Sequence, residues 1–372
     1  MTKRTKVAHL TSVHRPFDVR IFHKECRTLV EAGYEVVLIV PHDRDEMVDG
    51  VQIRAVPKPE GRRERMTRTV WQVCRVALQE DAQVYHFHDP ELIPVGLLLT
   101  LRGKQVVRDI HEDLPRQILT KHWIPDRLRR LFGKAAGAME AFCELVFDGI
   151  AAATPVIARR FTQKKTFNIQ NFPMLWESIH SEARPYAERS PMVAYAGGIG
   201  AIRGAREMIA AMNLLPKSLG ARLVLAGVFF PPELEAELRR MPEWERVEFV
   251  GWKSQSEVKD LLTESRAGLV LFHPAPNHTE AQPNKLFEYM AAGIPVIASD
   301  FPLWRQIVEE AGCGMLVDPL EPRAIAASIQ WILEHPQQAE AMGRRGQDAV
   351  RARYNWNNEA QKLLELYEGL AK

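Results

Sequence analysis

Short apolar runs alternate along this chain with longer stretches in which apolar positions recur every three to four residues. KVAHLTSV (6–13) leads to a helical pattern from about Ile21 to Ala32, then to Gly33 as a helix C-cap and to YEVVLIV (34–40) as the next strand. The alternation continues with VYHFH (84–88), a helix over Leu92 to Leu101, KQVVRDI (104–110), a helix from Asp126 to Val146 and DGIAAAT (148–154). This βαβ rhythm predicts a parallel sheet flanked by helices.

From about Asn171 to Pro191 the period fades in a segment carrying three prolines, and the alternation then restarts at MVAYAGG (192–198). Further strands are expected at ARLVLAG, VEFVG, AGLVLFHP, PVIAS and GMLVD, with helices between them, including one from Pro283 to Ala292. The expected organisation is a domain over 1–175, a linker over 176–191, a second domain over 192–353, and a helix within 354–372 that packs back across the domains. The fold class is α/β, with two Rossmann-like doubly wound domains facing a central cleft. Ligands of such sheets bind beyond the carboxyl ends of the strands, where chemistry-bearing residues should gather.

Length agrees with two domains, since 372 residues exceed what one core usually holds. The chain is 46% hydrophobic and 26% charged, with 49 basic against 47 acidic residues; this is a globular balance, and a net charge of +2 gives no reason to expect nucleic acid. Cys26, Cys74, Cys143 and Cys313 form no CxxC pair, so neither a zinc site nor a disulfide framework is expected. The MTKRTK start is too short and polar for a secretory signal, and no apolar run approaches the roughly 20 residues of a membrane span. A cytoplasmic protein is expected. The basic stretches GRRERMTR (61–68) and DRLRRLFGK (126–134) fit either a solvated helix face or peripheral contact with anionic lipid at the inner face of the membrane.

The segment HTEAQPNKLFEYMAAGIPVIASD (278–300) carries Glu280 and Glu288 eight positions apart. Pro283 suits a first helical position, which leaves Glu280 in a loop and Glu288 more than a turn into the helix. Lys285 then meets the positive end of the helix dipole, a mismatch that a phosphate would resolve together with the free N–H groups of Asn284, Lys285 and Leu286. Taken alone, a Lys285 pair with Glu288 or Glu280 on a surface helix explains the pattern equally well.

Glu280-x7-Glu288 followed by YMAAGIPVIASD resembles the E-x7-E signature of retaining GT-B glycosyltransferases, in particular glycosyltransferase family 4 (glycosyl transferases group 1). The resemblance implies that Glu288 binds the ribose hydroxyls of a nucleotide sugar and that Glu280 contacts the transferred sugar. The chain departs from the family's Glu-Gly-Phe-Gly in reading Glu280-Ala281-Gln282-Pro283. YAGGIGAIRGAREMIAAM (195–212) resembles the family's strand-loop-helix whose arginine and lysine grip the donor diphosphate; here the lysine position carries Arg203 and the arginine position Gly198. Arg203 and Lys285 are thus the expected diphosphate cations, with Gly197, Gly198 and Gly200 permitting close backbone approach. By themselves, those glycines read as a tight turn. GGIGAIRG only half matches a dinucleotide fingerprint, because its third glycine is displaced and no acidic ribose ligand follows. In VEFVGWKSQSEV, also similar to family 4, Gly251 and Trp252 are expected to edge the nucleobase pocket.

In the first domain, HLTSVHRPFDVRIFHKE resembles the family's N-terminal unit, with His14 to Asp18 replacing its usual glycine pair, which implies acceptor-side roles for His14, Asp18 and Arg20. Asp18 and Arg20 could equally form a structural ion pair. His111, ending VVRDIH, stands where family members carry a histidine near the transferred sugar, and His88 ends the preceding strand. A metal held by His86, His88 and Asp89 is set aside in favour of Asp89 as a helix cap with Pro90 at the first helical position. The resemblance implies a metal-independent, cofactor-free transferase that moves a hexosyl or N-acetylhexosaminyl group with retention from a nucleoside-diphosphate sugar, with UDP-sugar expected ahead of GDP-sugar. A glycan or lipid-linked acceptor in surface polysaccharide or glycoconjugate synthesis would follow. A GT-B sugar-nucleotide 2-epimerase and a non-catalytic nucleotide-sugar-binding protein are the rival readings, the latter drawing on Gly198.

Overall fold

A computed structural model describes residues 4–119, 124–175 and 184–370. The chain divides into two compact units, Met1–Asn171 with Trp356–Lys372, and Phe172–Asn355. Residues 176–183 of the expected linker lie outside the described residues. The part that follows is not an open spacer, because Tyr186 is buried in the second unit's core and donates its hydroxyl to the Arg266 carbonyl.

The first unit holds a sheet of β1 (Lys6–Leu10), β2 (Glu35–Pro41), β3 (Glu46–Val48), β4 (Val51–Val56), β5 (Val84–Phe87), β6 (Gln105–Ile110), β7 (Gly149–Ala152) and β8 (Thr166–Asn168). Its order is β3-β4-β2-β1-β5-β6-β7-β8, parallel except for the β3–β4 pair. The order in which strands are added to the sheet reverses between the parallel neighbours β1 and β5, where His9 lies opposite His86. The helix expected from Ile21 begins earlier, as a π-helical stretch Val19–Cys26 running into Arg27–Glu31, because Asp18 caps it through the N–H groups of Arg20 and Ile21. The helix Trp356–Leu370 packs within this unit: Trp356 Nε1 donates to Thr28 Oγ1 and Leu363, Leu366 and Tyr367 are buried.

The second unit's sheet has β9 (Met192–Ala196), β10 (Arg222–Ala226), β11 (Val247–Gly251), β12 (Ala267–Val270), β13 (Val296–Ser299) and β14 (Gly314–Val317), all parallel in the order β11-β10-β9-β12-β13-β14. Alternation along β9 sends Val193 and Tyr195 into one core layer and Ala194 and Ala196 into the other. The small residues on the second face leave room for the helix Asn284–Ala291, whose Tyr289 hydroxyl accepts the Ala196 N–H at 2.9 Å. A side chain at Gly268 would strike the Tyr289 ring, so β12 needs glycine there. Both units are Rossmann-like, as expected. A helix Pro336–Ala352 and the β3–β4 hairpin were not anticipated by the pattern.

Candidate functional site

The switch point of the second sheet lies between β9 and β12, and the loop leaving β9 carries the glycines. Gly197 has φ +125°, and a Cβ on Gly227, which follows β10 with φ +147°, would fall 1.8 Å from the Gly197 carbonyl oxygen. The two strand-end loops are pressed backbone to backbone, an approach only glycine allows.

Lys285 reaches this loop from the first turn of its helix. Pro283 occupies the N-cap and Asn284 opens the helix, one residue later than expected. Lys285 is 8% exposed, its Nζ stands 3.7 Å from the centroid of the Tyr195 ring, and among the described residues it has no hydrogen-bond partner. Burial, and then the Arg203 charge, push its pKa well below the ordinary lysine value against the pull of Glu288. Arg203, on the turn Ala201–Arg203, lies across the ring of Phe272 and donates from Nη1 to the Gly198 carbonyl at 3.3 Å. A Cβ on Gly198 would sit 2.9 Å from that nitrogen. The guanidinium of Arg203 therefore fills the space a side chain at 198 would need, which gives a physical reason for glycine where the arginine of the resembled motif stands.

The anion site expected from free helix N–H groups needs correction. The Leu286 N–H already donates to the Pro283 carbonyl at 3.0 Å, and the Leu286 side chain is wholly buried in the core, so this residue offers less than expected. Asn284 is exposed at the helix start.

A cavity of about 310 Å³ opens beside Gly197 and Gly198, walled by Val228, Val258 and Leu262 and flanked by Trp252, with Glu288 as the carboxylate among its lining residues. Gly251 does not line it. With φ +70° it makes the turn that presents Trp252, and its carbonyl accepts the Gly227 N–H at 2.7 Å. Gly200 closes the β9 loop, 3.3 Å from the Phe230 carbonyl at its would-be Cβ. Glu280 is half-buried on the turn before the helix, which Trp304 Nε1 pins by donating to the Ala281 carbonyl at 2.7 Å. Gly227, Val228, Lys253 and Gln255 line the cavity without having been anticipated. Of these, only Gly227, ending ARLVLAG, carried a signal.

In the first unit, loops after β1, β5 and β6 bring two half-exposed imidazoles together, His14 and His111, with ring centroids 5.5 Å apart. Each has a buried carboxylate behind it: His111 Nε2 lies 2.8 Å from Asp109 and His14 Nδ1 lies 3.3 Å from Asp89. Burial opposes charge on His14, but the Asp89 hydrogen bond and charge outweigh it and its pKa is raised. Two expectations are overturned. Arg20 does not pair with Asp18; it is buried, and its Nε and Nη2 grip Asp109 at 2.9 and 3.0 Å, because the Asp18 carboxylate is taken by backbone N–H groups. Asp89 stands at the cap position before Pro90, yet its side chain makes no cap bond and instead accepts from Thr11 and Ser12. His88 is also buried and bonds Asp109 through Nδ1 at 3.1 Å, so it and Arg20 act behind the surface that His14, Asp18 and His111 form.

Residues 178–349 match the family model of glycosyl transferases group 1, and residues 19–165 match that of the glycosyl transferase 4-like domain. The chain has the GT-B fold, and each of its units carries a region that matches a glycosyltransferase family model. A sucrose-phosphate synthase from Thermosynechococcus elongatus has the same fold, with a TM-score of 0.78 at 21% identity over 99% of each chain. HepE of Anabaena, solved in complex with UDP and glucose, superposes on this GT-B chain with a TM-score of 0.74 at 14% identity, over 98% of it and 100% of HepE. Curated relatives match more locally. The phosphatidyl-myo-inositol mannosyltransferase of Mycobacterium leprae is 35% identical over 86 residues, 23% of each chain. The D-inositol 3-phosphate glycosyltransferase of Corynebacterium urealyticum is 32% identical over 112 residues, 30% of this chain and 26% of the relative, so each match spans about a quarter of the relative's length.

Proposed function

We propose that the protein is a retaining glycosyltransferase that moves a hexosyl or N-acetylhexosaminyl group from a nucleoside-diphosphate sugar, UDP-sugar ahead of GDP-sugar, to a hydroxyl acceptor. The observation that carries the reading is the Lys285 ammonium, without a hydrogen-bond partner among the described residues, set beside the Arg203 guanidinium on the Gly197–Gly198 backbone, next to a cavity holding Glu288. A buried cation beside a half-buried one is repelled by it until an anion joins them, and a diphosphate supplies that anion. The adjoining cavity would take the nucleoside, with Glu288 accepting from the ribose hydroxyls and Trp252 beside the base.

As the bond to the sugar breaks, negative charge grows on the leaving phosphate, and fixed cations stabilise it more than they stabilise the bound donor. In this reading that is the work of Arg203 and Lys285, and the transfer draws on no metal. Glu280 and His111 would hold sugar hydroxyls. With no enzyme nucleophile assigned, attack on the same face as departure, with the leaving diphosphate taking the acceptor proton, accounts for retention. His14 and Asp18 would meet the acceptor. The helix Asp126–Val146 exposes Leu131, Phe132 and Leu145 with Arg127 and Arg130, a surface that supports a lipid-linked acceptor at a membrane face. Among the described residues no helix is long and apolar enough to cross a membrane. A role in surface polysaccharide or glycoconjugate synthesis fits such an acceptor.

The test is a panel of nucleotide sugars with chromatography for nucleoside diphosphate release and calorimetry for binding. Turnover should fall about 100-fold or more in Arg203→Ala, while Glu288→Ala should chiefly weaken nucleoside diphosphate binding. Donor turnover unchanged in both variants would refute the assignment, and binding without any release would make the chain a binding module.

A further inference from the structure

At the β1/β5 switch of the first unit, four side chains meet in a wholly buried space: His9 of β1, His86 of β5, His88 just beyond it, and Glu25 from the π-helical stretch. Each offers one ligand atom, and these atoms all lie within 4.8 Å of one another. His9 Nδ1 and His88 Nε2 are 3.0 Å apart, and Glu25 Oε2 is 3.8 Å from the first and 3.9 Å from the second. A tetrahedral zinc ion with bonds of 2.0–2.1 Å sets its ligand atoms about 3.3 Å apart. The observed spacings bracket that value.

The outward-facing atoms are as telling. His88 Nδ1 is tied to Asp109, His86 Nδ1 lies 2.9 Å from the Tyr367 hydroxyl, and His9 Nε2 lies 3.4 Å from that hydroxyl. Holding one ring nitrogen by an outer partner while the other faces a common point is how metal-ligating histidines are oriented. Among the described residues, the inward His86 Nε2 and both oxygens of Glu25 are buried without a hydrogen-bond partner. Arg20 does not remove the difficulty. Its Nε stands 3.0 Å from Glu25 Oε1, but Asp109 already takes its Nε and Nη2 hydrogen bonds and neutralises it, so Glu25 is a second carboxylate in a closed space. A surplus buried carboxylate is costly without a counter-charge. The neighbouring trio His88, Asp109 and His111 is a poorer candidate, since Arg20 already fills Asp109.

We propose that His9, His86, His88 and Glu25 bind one divalent first-row transition ion, zinc in the first instance, as a structural centre. Three imidazoles and one carboxylate suit zinc, and four protein ligands close its shell, leaving no position for substrate. Being wholly buried, the ion is taken up as the unit folds and stabilises it. The ion also anchors His88, and through Asp109 the half-exposed His111. Neither the proposed donor nor the proposed acceptor enters this inference.

The experiment is elemental analysis of the full chain produced and purified without chelator, joined to refolding of metal-free protein with zinc alone or cobalt alone. About one equivalent of zinc is expected, with a tetrahedral cobalt spectrum after substitution and a melting temperature that falls on metal removal. Tyr367→Phe keeps the packing and loses the outer hydroxyl, so zinc affinity should fall roughly 10- to 100-fold; Glu25→Gln should lose the ion. If those variants do not fold, X-ray absorption at the zinc edge of the unaltered protein must report about three imidazoles and one oxygen. Less than a tenth of an equivalent of any transition metal after refolding with each ion would overturn the proposal and leave Glu25 holding a proton. So would full zinc content in folded Glu25→Gln with a sulfur-containing shell.

Discussion

The most informative residue is Lys285. A lysine ammonium that is 8% exposed and, among the described residues, without a hydrogen-bond partner lowers stability wherever it must stay charged. Its folded pKa lies below the unfolded value, so between the two the unfolded chain binds more protons and stability rises with pH across that window. A bound diphosphate reverses this by stabilising the charged form. Binding of UDP at a pH above the lowered value is therefore expected to take up as much as one proton, measured by calorimetry in buffers of different ionisation enthalpy. In Lys285→Met the uptake should vanish, turnover should fall about 100-fold or more, and the ligand-free melting temperature should stay level or rise. A destabilised Lys285→Met with unaltered proton uptake would contradict the account. The sequence exposed this residue because a cation at a helix start is out of place; it did not expose the burial, which depends on Tyr195 and Phe272 arriving from other strands.

At the scale of elements, the cavity of the second unit depends on two strand-end loops touching at Gly197 and Gly227. Replacing Gly227 by alanine would force a residue with φ +147° to carry a Cβ 1.8 Å from a carbonyl oxygen. The backbone strain alone is roughly 1–3 kcal/mol, and relief of the clash would move Gly197 away from Lys285. Gly227→Ala should thus lower stability in denaturant titration and weaken UDP binding together; wild-type values for both would show the loops to be less tightly set. The strands of the second unit were legible because each is a compact apolar run between breakers. Pro336–Ala352 was not, because it buries mostly small residues, Ala339, Gly343, Gly346 and Ala349, with Val350 the one larger side chain, and packs so closely that a Cβ on Gly343 would lie 2.1 Å from the Gly293 carbonyl oxygen. A helix that docks through small residues leaves little hydrophobic period to read. The β3–β4 hairpin hides in a charged stretch, and the pairing of Arg20 with Asp109 joins positions 89 apart, a distance no local spacing reports.

For the whole molecule, the βαβ rhythm made two Rossmann-like units legible, while the membership of each unit is set by contacts between residues far apart in sequence. The second unit is one continuous segment, Phe172–Asn355, whereas the first is assembled from both ends of the chain. Its last helix brings Leu363, Leu366 and Tyr367 beneath the first sheet, where Tyr367 is buried against His86. A chain ending at Asn355 should keep slow hydrogen exchange in β9 and β12 and lose it in β1 and β5. Equal protection in both sheets would mean the helix is dispensable. This arrangement also sets an order of events during synthesis. Domains ordinarily become complete in the order in which they leave the ribosome, but here the earlier-made sheet lacks Leu363, Leu366 and Tyr367 until Trp356–Leu370 has been made, after the whole of Phe172–Asn355.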